Sequence, residues 1–255
     1  MTRPEAKGKG KDTGRIPLNR DRVLRAAVAL ADATGIDALS MRRLAQELDV
    51  VPMALYKHVA NKEELLDGMA DAVVGEIDPP AAGPDWRPVV RGRILSARRV
   101  LLRHPWAARV IESRTGPTPA VLAYLDSMAG LFRAGGLSAD LTHHVMHAMG
   151  SRLLGFSQEL FDTSGPSGPP DPALAARFPH IAELAATAAH DDGSTVGGGC
   201  DDQFEFEFAL DLLLDGFENL RRRGWTSPRV GPVGPVSPLS PLSPVGPVGP
   251  PVSPR

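Results

Sequence analysis

With a single cysteine, Cys200, in 255 residues, the chain can hold neither an internal disulfide nor a cysteine-rich zinc site. Aromatic residues are scarce at 5%, so the core has to be built mainly from alanine, leucine and valine. No apolar run approaches the roughly 20 residues that a membrane-spanning helix needs. The first 18 residues carry charge but no apolar stretch, so no secretory signal is expected. A soluble, cytoplasmic chain with no membrane partner is the expectation. Catalytic signatures are missing too, both the phosphate-cradling glycine loop and the zinc-protease motif. Gly155-Phe156-Ser157-Gln158-Glu159 opens like a nucleophile elbow, but it lacks the second glycine and a preceding strand. No cofactor and no catalytic residue are expected.

The formal net charge of −2 hides an asymmetry. Residues 1–62 hold 12 Lys and Arg against 7 Asp and Glu, so a basic first quarter precedes an acidic remainder. That division fits a polyanion-binding module attached to something else.

Four segments follow from composition. Residues 1–18 read as a flexible basic arm. Short helical patterns fill 19–77, and the Pro/Gly break around 78–84 separates them from a larger helical body, 85–225. Within that body, 162–172 and 191–199 are Gly-, Ser- and Pro-rich and flank an Ala-rich helix candidate around 179–189. In the tail, 226–255, proline recurs at every third position from Pro232 to Pro250, the period of polyproline II, which forms no core. Only Phe204-Glu205-Phe206-Glu207-Phe208 alternates like a strand. Its continuation through Leu210, Leu213, Phe217 and Leu220 steps by 3 or 4, which predicts a helix. The fold class is therefore all-α.

The basic segment carries the clearest chemistry. Asn19 caps a first helix that Gly35 ends, and Ser40 caps a second. Asp49-Val50 makes a tight turn, and Pro52 opens a third helix, expected to run to about His58. Two short helices joined by such a turn form a helix-turn-helix, whose second helix enters the DNA major groove. Tyr56, Lys57, His58 and Lys62 are phosphate donors in this reading; Met53 and Ala54 suit a thymine methyl, and Arg42 a guanine edge. Asn61 and Glu64 form a capping-box pattern that puts Lys62 at the start of a fourth helix, about 61–76.

Leu39-Ser40-Met41-Arg42-Arg43-Leu44-Ala45-Gln46-Glu47-Leu48-Asp49-Val50, followed by Ala54 to Leu66, closely resembles the TetR (tetracycline repressor) family. The stretch Phe206 to Glu218 resembles the last core helix of the tetracycline-repressor branch. The resemblance implies a three-helix DNA-binding head joined by a fourth helix to a helical ligand-binding and dimerisation body. Its implied partners are double-stranded operator DNA, a small organic effector and a second copy of the chain. Asp49 replaces the usual turn glycine, and asparagine or aspartate tolerates the left-handed conformation such a turn needs. The position of the family's metal-binding histidine falls near Val110 or Ile111, so no metal site is expected.

In the body, Leu141, Val145, Met149, Leu153, Phe156 and Leu160 form one apolar stripe. With the Phe204–Leu220 helix it offers the two broad apolar faces that a four-helix dimer interface requires. Pocket candidates are Trp106, Arg109, Glu112, Arg114, Tyr124, Met128, His143, His147, Arg152 and Phe156, a mixture suited to an organic ligand. His143 and His147 lie one turn apart, but no nearby acid or cysteine completes a metal set. The competing reading is a small-molecule enzyme on a helical scaffold, and salt-sensitive binding to duplex DNA separates the two.

Overall fold

The computed structural model describes residues 17–155, 176–180, 182–183 and 202–228, and all regular elements among them are helical. Helix α1 runs Arg20–Thr34 and is followed by a 3₁₀ turn, Ile36–Ala38. Then come α2 (Met41–Glu47), α3 (Pro52–Leu55), α4 (Lys62–Val74), α5 (Trp86–Arg103) and α6 (Ala107–Glu112). The last three are α7 (Pro119–Ala134), α8 (Ala139–Gly155) and α9 (Asp202–Arg222). The arm up to residue 16, the tail from 229 and most of the Ala-rich candidate at 179–189 fall outside the described residues. Among the described residues no helix is long and apolar enough to cross a membrane.

Local chemistry sets the helix starts. The Asn19 side chain accepts from the Arg22 N–H at 2.8 Å, and the Ser40 hydroxyl accepts from the Arg43 N–H at 3.2 Å. Pro52 opens α3, where its missing N–H costs nothing. At Gly35 the chain leaves α1 with φ 80°, a conformation that glycine adopts without the steric cost of a Cβ.

Two apolar clusters hold the chain together. The first joins Val23, Ala27 and Leu30 of α1, Leu44 and Leu55 of the helix-turn-helix, and Leu65, Met69 and Val73 of α4. Val100, Trp106, Ala107 and Val110 belong to that same cluster, so the α5–α6 corner of the body is built into the core of the head. The second cluster packs Trp86, Val90 and Ile94 of α5 against Met128 and Phe132 of α7. Leu141, Val145 and Met149 of α8 and Phe206, Leu210, Leu214 and Phe217 of α9 complete it.

This packing narrows the surfaces of the two expected dimer helices that stay free. The stripe Leu141, Val145, Met149 and the face Phe206, Leu210, Phe217 are consumed inside one chain. The face of α9 left in solvent is the other one, with Phe204, Phe208 and Leu212 at 60%, 53% and 59% exposure. Phe156 and Leu160 lie outside the described residues.

Ion pairs between α5 and α9 add register to the apolar contact. Arg91 holds both Glu207 and Asp211 at 2.7 Å, and Arg87 reaches Asp215 at 3.2 Å. Near the end of α9, Arg221 donates two 2.7 Å hydrogen bonds to Glu218. Those bonds, aided by Trp86 and Arg222, push the Glu218 carboxyl down to about 2 from an ordinary 4.5. The stability this contributes is therefore fully present above pH 4.5 and lost as pH falls toward 2. Between pH 5 and pH 2.5 the melting temperature should fall more steeply for the wild type than for Glu218→Gln; parallel curves would show that the Arg221–Glu218 pair adds no stability.

Candidate DNA interface and ligand cavity

The turn between α2 and α3 closes through Asp49 N–H to Gln46 C=O at 3.1 Å and Val50 N–H to Ala45 C=O at 2.9 Å. Asp49 takes φ 52°, the only non-glycine with positive φ among the described residues. An aspartate thus fills the left-handed position, as its short side chain permits. Helix α3 is a single turn ending at Leu55, shorter than the expected span to His58, with Tyr56 at its C-terminal cap. Leu44, Leu48 and Leu55 point into the core, which turns the remaining faces of α2 and α3 outward.

Every proposed DNA residue of the head lies at the surface. Arg42, Met53, Tyr56, Lys57 and Lys62 are exposed, while Ala54 and His58 are half-buried. Met53 is 71% exposed and Val51 beside it 68%, an unusual exposure for two apolar side chains on one short element. Asn61 accepts from the Glu64 N–H at 2.8 Å, and Glu64 accepts from the Ala60 N–H at 2.7 Å. This reciprocal cap fixes Lys62 at the first turn of α4. Among the described residues most arginines of the body have carboxylate partners, whereas the side chains of Arg42, Lys57 and Lys62 make no hydrogen bond or ion pair there.

A cavity of about 110 Å³ lies between α4 and the body helices. Its wall takes Val73, Val74 and Ile77 from α4 and its end, Ile94 and Leu101 from α5, and Ile111 from α6. Val121, Tyr124, Leu125 and Met128 of α7, with Met146 and Met149 of α8, close the rest. Of the residues expected to hold a ligand, Tyr124 and Met128 are in this wall.

Trp106, Arg109 and Arg114 are elsewhere, each drawn to an acid of the head region. The Trp106 ring N–H donates to Asp32 at 2.6 Å, and the same carboxylate accepts from His104 Nδ1 at 2.9 Å. Arg109 pairs with Asp37 at 2.6 Å across an exposed surface. Arg114, its side chain only 10% exposed, pairs with Glu63 at 2.7 Å and Asp67 at 3.3 Å on α4. These residues tie body to head and are not in the wall of the apolar cavity, although Arg114 with Glu63 and Asp67 lines a separate, more polar surface pocket. The link between the two is accordingly double, through α4 and through the α5–α6 corner, where the sequence suggested α4 alone.

His143 and His147 are exposed on α8, stacked edge-to-face at 4.7 Å, and do not reach the cavity. Among the described residues no group of three His, Cys, Asp or Glu is placed to hold a metal. Glu112 is exposed, Arg152 follows the last described side chain of α8, and Phe156 falls outside the described residues. Sequence reasoning missed the α4 contribution. The signal was present, because Val73, Val74 and Ile77 extend the apolar pattern of α4 past the three-helix head.

A helix-turn-helix head with unpaired cations, fused to a helical body enclosing an apolar cavity, defines a DNA-binding regulator with a ligand-binding domain. Residues 23–69 match the family model for bacterial regulatory proteins of the tetR family, and residues 79–221 match the tetracyclin repressor-like C-terminal domain. The chain belongs to the tetR family. It is 33% identical over 246 residues to the HTH-type transcriptional repressor DrrR1 of Streptomyces coeruleorubidus, covering 85% of this chain and 87% of that one. An HTH-type transcriptional regulator of Saccharopolyspora erythraea is 40% identical over 141 residues, a match spanning 54% of this chain and 58% of that relative. Among solved structures, apo ActR from Streptomyces coelicolor superposes with a TM-score of 0.66 at 29% identity, covering 82% of this chain and 99% of that one. ActR has also been solved in complex with actinorhodin, and that form superposes with a TM-score of 0.59.

Proposed function

We propose that the protein is a cytoplasmic, homodimeric repressor that holds a two-half-site operator and releases it when a small organic molecule occupies the cavity under α4. The observation carrying this reading is that Val73, Val74 and Ile77 are cavity wall on the same helical segment whose other end presents Lys62. A ligand that packs better against one position of α4 shifts the heads toward the corresponding spacing. The repressor name of DrrR1 and the actinorhodin complex of ActR support repression and an organic effector.

The effector inferred from the wall is largely apolar and multi-ring or of similar size. The wall also has to fit itself to the outline of such a molecule on binding. Met128, Met146 and Met149 are suited to that, since methionine adapts its shape at little cost. Ile111 stands in the wall near the position where the resemblance places a metal-binding histidine, so release needs no divalent ion. Titrating an effector against the protein–operator complex with and without a chelator tests this. Equal release in both supports it, and chelator-sensitive release would overturn it.

In the head, Tyr56, Lys57, His58 and Lys62 serve as phosphate contacts, and Arg42, Met53 and Ala54 as base-edge contacts. Lys62→Ala should weaken binding to specific and random duplexes alike and reduce the salt slope by about 1. Arg42→Ala should cost about 1 to 3 kcal/mol and relax preference at one base pair. Competition assays against single-base operator variants distinguish these roles; equal loss on every sequence for Arg42→Ala would reassign it to a phosphate.

A further inference from the structure

The cavity wall is aliphatic or thioether except at one place. Among the described residues Tyr124 is the only one lining it with a hydrogen-bonding side chain. Its hydroxyl is sealed from water and meets no donor or acceptor. A buried polar group left unpaired is costly, and a ligand that pairs it recovers that cost on binding.

The surroundings say which partner is wanted. Burial pushes the Tyr124 hydroxyl up to about 12, so it stays a proton-bearing phenol at neutral pH. The guanidinium of Arg93 sits 5.0 Å from the ring centre, held there by donation to the Asp78 carbonyl at 2.7 Å. A cation over the ring draws electron density from it and makes the phenol the better donor. Among the described residues no charged side chain lines the cavity, Arg93 with its unpartnered Nε included, so a ligand carboxylate would be buried there without a cation in the wall, at high cost.

We propose that Tyr124 is the specificity-determining residue of the cavity, donating its one directional hydrogen bond to a carbonyl oxygen of an uncharged, otherwise apolar ligand. The proposal rests on the cavity being the effector site. It deepens that reading by selecting ketone- or quinone-bearing ring systems over hydrocarbons of the same shape and over carboxylates.

Equilibrium dialysis of 9-fluorenone, fluorene and fluorene-9-carboxylate against wild type and Tyr124→Phe tests it. The first two probes share a three-ring frame and differ at one carbonyl oxygen. Fluorenone should bind the wild type about tenfold more tightly than Tyr124→Phe, the scale of one hydrogen bond. Fluorene should bind both proteins equally, and the carboxylate neither. Because Tyr124→Phe removes an unpartnered hydroxyl, its melting temperature without ligand should match or exceed that of the wild type. Equal binding of fluorenone to both proteins, or an equal loss for fluorene, would overturn the role of Tyr124 while leaving the cavity an effector site. A lower melting temperature for Tyr124→Phe would show that the hydroxyl already has a partner, and would overturn the proposal too. Failure of all three probes to bind the wild type would remove the underlying reading and the proposal with it.

Discussion

Phe208→Asp combined with Leu212→Asp should leave the proposed homodimer monomeric and lower its affinity for a two-half-site duplex by about 10³-fold or more. Phe204, Phe208 and Leu212 recur every four residues on α9, and all three are more than half exposed. Large apolar side chains that line up at one-turn spacing and stay wet mark an interaction surface. Helix α9 already buries Phe206, Leu210, Leu214 and Phe217 against its own chain, so the second face is surplus to the monomer fold. Apart from the Phe204–Phe208 ring stack along the helix, these side chains are largely exposed among the described residues, so charged substitutions there should leave the melting behaviour of the monomer intact. Losing the partner removes one of two heads and with it the fixed separation of about 34 to 36 Å that matches successive major-groove faces. Light scattering reads the mass, and anisotropy on a two-half-site duplex reads the affinity. A double variant that remains dimeric would place the interface elsewhere.

Asp32→Ala should disconnect ligand binding from DNA release. Asp32 is the one acid of α1 that accepts from both Trp106 and His104, and a carboxylate can only accept, so His104 carries its hydrogen on Nδ1. The opposite ring nitrogen lies 3.4 Å from Glu76, just beyond the end of α4. The α5–α6 corner therefore holds α1 and the end of α4 through two adjacent aromatic residues. Removing Asp32 leaves the buried Trp106 and His104 donors unpaired, at about 2 to 4 kcal/mol in all. That corresponds to a fall in melting temperature of roughly 4 to 16 °C for a protein of this size. Operator binding without effector should persist, because the proposed DNA contacts Arg42, Lys57 and Lys62 are untouched. The effector concentration needed for release should rise, since the head no longer follows the corner. Unchanged release at an unchanged melting temperature would show that α4 alone transmits.

How much of this was legible from residues depends on whether the determinant was local. The head was legible because its signals act within a few residues: the caps at Asn19, Ser40 and Asn61, Pro52 at a helix start, and Asp49 in the turn. The helical nature of α9 was legible from its 3- and 4-residue steps, which outweighed the alternation at Phe204 to Phe208. Which face of α9 turned inward was not, because both faces are apolar and the ion pairs of Arg87 and Arg91 that set its register span more than 100 residues. The cavity was the least legible part. Trp106, Arg109 and Arg114 have the chemistry of ligand contacts, and only the approach of Asp32, Asp37, Glu63 and Asp67 in three dimensions assigns them to the joint. Tyr124 and Met128 share a helix face one turn apart, and that local fact carried through to the cavity wall.

Operator recognition is tested by selecting duplexes from a random-sequence pool with the full-length protein and then measuring the salt dependence of binding to the enriched sequence. Selection should enrich a two-fold symmetric site whose half-sites are about 10 base pairs apart, or a multiple of that, with log affinity falling linearly as log salt rises. A pool that stays random after selection, or binding indifferent to salt, would contradict it.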